Sequence, residues 1–121
     1  MKRFLIILTL GVVFTSCLKD KTIEPVDEPV GPCADTTLFQ DEIMGQIMDL
    51  SCNTSGCHDA STNSGGYTLE NYSQISANSG VLLKVLQHDP TVVSMPLGGD
   101  KLADSLIQKF DCWIQQGMPN N

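Results

Sequence analysis

Residues 52–58 read Cys52-Asn-Thr-Ser-Gly-Cys57-His58, and no other stretch constrains the chain as tightly. Two thiols followed at once by an imidazole form the layout that fixes haem covalently: each thiol adds to one vinyl group, and the histidine takes the iron. A chain built this way must wrap an apolar wall around a flat macrocycle and supply a sixth ligand from elsewhere, or leave that position open. The usual spacer between the thiols is two residues, and here it is four. Two other readings use the same side chains. A Cys52–Cys57 disulfide would close a small loop and leave His58 as an exposed loop residue. A zinc site would need these three residues and a fourth ligand, and the adjacent Cys57 and His58 are strained as partners in one tetrahedral shell.

The N-terminus is an export signal in form. Lys2 and Arg3 form a charged start, Phe4 to Phe14 are almost continuously apolar, and Thr15-Ser16 are small residues before a cleavage point. The apolar run is shorter than the ~20 residues of a membrane span. Cys17 follows directly, so Phe14-Thr15-Ser16-Cys17 resembles a bacterial lipobox, with phenylalanine where leucine is usual. On this reading residues 1–16 are removed and Cys17 becomes the lipidated first residue of the mature protein, anchored in the cell envelope by its acyl chains. Residues 17–32 carry prolines and acids but no aromatic residue, and read as a flexible tether. Lys19-Asp20 faintly resembles a surface-export signal, which Lys21 interrupts. Without Lys2 and Arg3, five basic residues face fourteen acidic ones, a formal charge of −9. That charge argues against nucleic acid as a partner and suits a protein that docks to basic surfaces.

Residues 33–121 form the foldable unit, 89 residues, a size at which a cofactor or a disulfide often supplements the core. Its pattern is all-α. Thr37-x-x-Gln40 has the spacing of a capping box, and Leu38, Ile43, Ile47 and Leu50 recur at helical spacing over 38–51. Residues 52–66 form a loop. Thr68-Leu69-Glu70 opens a short helix through Ile75, and Ser79 to His88 forms another with Val81, Leu82, Val85 and Leu86 on its apolar face, stopped by Pro90. Asp100 caps a last helix with Leu102, Leu106, Phe110, Trp113 and Ile114 in one stripe, ended by Gly117. Gly45 interrupts the first helix at a cost of ~1 kcal/mol relative to alanine, tolerable where Phe110 or Trp113 approaches closely.

Met95-Pro96 in the loop 90–99 is the first candidate for a distal iron ligand. A thioether is a soft ligand that raises the reduction potential, and the proline stiffens the loop that presents it. His88, at a helix end, is the second candidate and would give a bis-histidine site. Met118, also before a proline, is the third. Met44 and Met48, one helical turn apart, read as core.

This order of helix, C-x-x-x-x-C-H, loop, Met-Pro and amphipathic C-terminal helix resembles a small monohaem cytochrome c domain. The four-residue spacer also occurs in some multihaem c-type cytochromes. The terminal string Trp113-Ile114-Gln115-Gln116-Gly117-Met118-Pro119-Asn120-Asn121 is similar to the "W-I-x-x-G-x-P-N-N" ends of exported bacterial lipoproteins of that type. The resemblance spans residues 33–121. It implies an all-α fold in which the first and last helices cross, with haem c as the cofactor. Cys52 and Cys57 would then be bonded to haem, His58 would be the proximal iron ligand and Met95 the distal one. Tyr67, Leu69, Val81, Leu82, Val85 and Leu86 become the expected pocket wall. The crossing helices also imply a Cys33–Cys112 disulfide. The function expected is a lipid-anchored carrier of single electrons between redox partner proteins, with no substrate transformed. Two alternatives stand beside it: a haem-free, disulfide-bonded envelope lipoprotein that binds a partner, and a haem sensor or peroxidase with an open iron position.

Overall fold

The computed structural model describes residues 31–121. The signal segment, Cys17, Lys19-Asp20 and the tether up to residue 30 lie outside the described residues. Five helical segments carry the fold: α1 (Phe39–Met48), α2 (Asp49–Ser51), α3 (Tyr72–Ala77), α4 (Ser79–Gln87) and α5 (Asp104–Gln115). A 3-10 turn, Ser64–Gly66, lies in the loop after α2. No strand occurs among the described residues, and none of their helices is long and apolar enough to cross a membrane.

α1 is wound more widely than an α-helix. The amide of Ile43 donates to Leu38 O at 3.3 Å, five residues back, and the Asp49 amide closes the far end on Met44 O. This changes which side chains share a face. A repeat of about 3.6 residues would align Leu38, Ile43, Ile47 and Leu50. The structure keeps Ile43 and Ile47 buried and adds Phe39, Met48 and Cys52, so that the stripe recurs every four residues from either Ile43 or Met48, and leaves Leu38 and Leu50 exposed. The wide winding therefore carries the core stripe on to Cys52.

The start of α1 also differs from the capping box expected of Thr37 and Gln40. Its free amides are satisfied from the other end of the chain. Thr37 N–H donates to Gln116 Oε1 at 2.9 Å, Phe39 N–H to Asn121 Oδ1 at 2.8 Å and Gln40 N–H to Asn121 O at 3.2 Å. Leu38 N–H donates to Glu42 Oε2 at 2.8 Å, one turn on. Gly45 is exposed, and a Cβ there would meet nothing closer than Gln40 O at 3.5 Å. No aromatic ring approaches it, contrary to the expectation that the glycine makes room for Phe110 or Trp113.

α5 packs against both α1 and α4. Its buried face is Ile107, Phe110, Cys112 and Trp113. Trp113 is fully buried, its ring centroid 5.5 Å from Phe39, 5.6 Å from Phe110 and 6.2 Å from Tyr72. Its indole N–H donates to Pro119 O at 2.9 Å. Gly117, in the left-handed region at φ 85, ends the helix, with the Met118 amide reaching back to Trp113 O at 2.9 Å. Tyr72 Oη donates to Met118 O at 2.8 Å. The terminal residues thus lock α5, α3 and the start of α1 together. Cys33 and Cys112 are joined in a disulfide, as expected from the crossing-helix resemblance, with Cα atoms 5.1 Å apart.

Two helix starts fall later than the sequence pattern predicts. α3 begins at Tyr72, where Asn71 Oδ1 accepts the Gln74 amide at 3.1 Å. Thr68 and Glu70 are instead tied to the Gln74 side chain, at 2.8 and 2.9 Å. α5 begins at Asp104 after Ala103, so Asp100 does not cap it; Lys101 bonds Asp104 at 2.9 Å in the first turn.

Candidate haem-binding site

The 52–58 segment is folded by its own backbone. Cys57 N–H turns back to Thr54 O at 2.9 Å, and His58 N–H reaches Cys52 O at 3.1 Å. Gly56 takes φ 87, a conformation costly for other residues, and its amide donates to Asp59 Oδ2 at 3.1 Å. Asp59 Oδ1 accepts from Ser61 Oγ and the Thr62 amide, at 2.7 and 2.6 Å. These bonds, the Ser61 hydroxyl first, hold its carboxyl down to about 2. The four-residue spacer is thereby reeled into a compact loop that returns His58 to the start of the motif.

A second set of bonds sets His58. Leu69 N–H donates to His58 O at 2.9 Å, and His58 Nδ1 lies 3.1 Å from Tyr67 O. A carbonyl oxygen only accepts, so Nδ1 carries a proton, which leaves Nε2 as the nitrogen for a ligand. An imidazole whose far nitrogen is committed to a backbone carbonyl is the arrangement that orients histidine as a metal ligand.

Cys52 and Cys57 are free thiols in different surroundings. Cys52 is buried, and desolvation, followed by the neighbouring Cys57, pushes its thiol up to about 11. Cys57 is exposed. A thiol like Cys52 stays protonated at neutral pH and is a poor nucleophile for disulfide exchange.

Both cysteines line one cavity of about 250 Å³. Its wall contains Cys52, Cys57, His58, Tyr67, Leu69, Val81, Leu82, Val85, Leu86 and Met95. All the residues expected at the pocket from the sequence are thus brought together, α4 supplying the aliphatic side and the loops the rest. The wall also includes Ser51, Gly56, Ser64, Pro96 and Leu97, which were not expected there. Leu97 had a signal of its own: an apolar residue between Met95-Pro96 and Gly98-Gly99, 76% exposed.

The two other candidates for a distal ligand lie off this wall. His88 caps α4, and its Nε2 bonds Met95 O at 3.0 Å. Met118 packs on the aromatic core around Trp113. Among the described residues no three His, Cys, Asp or Glu side chains converge where a metal ion could sit.

Comparison with protein-family models, with curated proteins and with solved structures yields no match.

Proposed function

We propose that this chain is a lipid-anchored c-type cytochrome that carries single electrons. The observation that carries this reading is the His58 ring, with Nδ1 held by Tyr67 O, on the same cavity wall as the free cysteines Cys52 and Cys57 and as Met95.

The donor set suits haem c. Cys52 and Cys57 would hold it through thioether bonds, His58 through Nε2 and Met95 through Sδ, while Leu69, Leu82 and Leu86 supply buried apolar wall. When bound, the group supplies a one-electron ferric/ferrous couple. The chain's own residues do the rest. The aliphatic side chains of α4 exclude water from one side of the cavity. The Tyr67 carbonyl orients the imidazole. An imidazole and a thioether together favour the reduced state and a higher potential than two imidazoles. The cavity is below the ~300–1,000 Å³ usual for sites that enclose a ligand, so a macrocycle held here would be only partly enclosed. Cys17 would tether the domain to the envelope, and the acidic mature chain would dock to basic redox partners.

The test is co-expression with a cytochrome c maturation system and haem staining of a denaturing gel. The expected result is a stained band at the mass of the chain, lost in Cys57→Ser and His58→Ala. An unstained wild-type band overturns the proposal and leaves the haem-free binding module. Met95→Ala should abolish the weak long-wavelength ferric band of a Met/His iron; an unchanged spectrum would reject Met95 as ligand and favour an open iron position.

A further inference from the structure

We propose that His88 is a positioning residue for Met95, holding the loop that delivers the thioether; this rests on the assignment of Met95 as distal ligand. Both backbone polar groups of Met95 are tied to the last turn of α4. Its amide donates to Val85 O at 3.1 Å, the same carbonyl that receives the His88 amide at 3.3 Å. Its carbonyl accepts from the His88 ring, Nε2 to O at 3.0 Å. The acceptor is a carbonyl, so Nε2 carries the proton and is not available to iron in this arrangement.

The intervening chain closes on itself. Asp89 Oδ1 accepts the Thr91 amide and hydroxyl at 2.8 and 2.6 Å, and the Val92 amide reaches Asp89 O at 3.2 Å. The loop therefore behaves as a short strut from the helix end to Met95, pinned at its far end by two hydrogen bonds. One of the two is made by a side chain.

The identity of residue 88 supports this role. It ends α4 in the left-handed region, at φ 58 and ψ 41. Glycine adopts that conformation without strain and is the usual choice there. Glycine would end the helix equally well but would leave Met95 O without the ring. Histidine at a strained position, its ring half-buried on the Met95 carbonyl and off the cavity wall, acts on the site through Met95.

The experiment compares His88→Leu with His88→Gln in the full chain matured with haem. Leucine and glutamine both bear the left-handed strain, but only glutamine keeps an N–H donor at similar reach. Added imidazole competes with the distal ligand. In His88→Leu the imidazole concentration for half-displacement should fall roughly three- to ten-fold, the equilibrium equivalent of one net hydrogen bond, and the reduction potential should drop. His88→Gln should restore most of both. Hydrogen exchange at the Met95 amide, with and without haem, should quicken in the leucine variant and recover in the glutamine one. Urea midpoints and helical circular dichroism verify that both variants fold. The proposal is overturned if His88→Leu matches the parent, or if His88→Gln is as impaired as His88→Leu. Met95→Ala with an unchanged ferric spectrum would instead remove the distal assignment, while the exchange rates still report on the clamp.

Discussion

Replacing Cys33 and Cys112 together by serine removes a cross-link that closes 79 residues of chain. The stabilisation comes from the unfolded state. With a loop of about 80 residues the chain-entropy relation gives about 15 cal/mol/K, or about 4.5 kcal/mol at 25 °C. Serine introduces little new cost in the folded state, since Cys112 Sγ lies 3.3 Å from Pro32 O, where a hydroxyl finds an acceptor. A small domain has only about 5–15 kcal/mol in total, so the double variant should lose much of its stability. Urea unfolding followed by tryptophan fluorescence reads this directly, because Trp113 sits in the core that α1 and α5 share. With slopes of about 1–3 kcal/mol per molar, the midpoint should fall by roughly 1.5–4.5 M. Reduction and alkylation of the parent should reproduce the shift. A loss under about 1 kcal/mol would mean that the unfolded chain is not constrained by this bond.

Three further outcomes test the fold and the loop. Asp59 is depressed to about 2, so its hydrogen bonds to the loop are intact above the ordinary carboxylate range and are lost as pH falls through about 2. The amide shifts of Gly56 and Thr62 should titrate with that midpoint, and a midpoint near pH 4 would dismiss the Asp59 knot. Trp113→Phe should cost about 1–3 kcal/mol in thermal or urea unfolding, since it leaves Pro119 O without its donor; no change would mean that the indole N–H bond contributes nothing. Gly45→Ala should stabilise by about 0.5–1 kcal/mol, because the site is exposed and the new Cβ has ordinary contact distance. Destabilisation there would restore the idea that α1 needs the glycine for packing.

The site was more legible in the sequence than the helix boundaries that position it. Cys52, Cys57, His58 and Met95 carry chemistry that spacing exposes, and Val81, Leu82, Val85 and Leu86 lie on a short helix with an ordinary repeat, so their common face could be read directly. α1 could not be read this way, because its i→i+5 winding moves the buried stripe from Leu38 and Leu50 to Phe39, Met48 and Cys52. No local residue signals that winding. The capping of α1 by Asn121 and Gln116 is a contact across almost the whole domain, invisible to a search for caps beside the helix. The same contacts give the terminal Trp-Ile-x-x-Gly-x-Pro-Asn-Asn string a structural role. Thr37 and Asp100 had the right chemistry for caps, but tertiary packing set where the helices begin. Thr37 is drawn to Gln116, and the turn before α5 runs on to Ala103.

The central claim is that two sulfurs, one imidazole and one thioether on a single cavity wall hold a covalent haem. Intact mass of the protein matured in a competent host tests it most directly. The expected mass is that of the processed chain plus one haem, with the haem retained under denaturing conditions and missing from the Cys52→Ser/Cys57→Ser variant. A mass equal to the chain, with or without lipid and with nothing else attached, would contradict it.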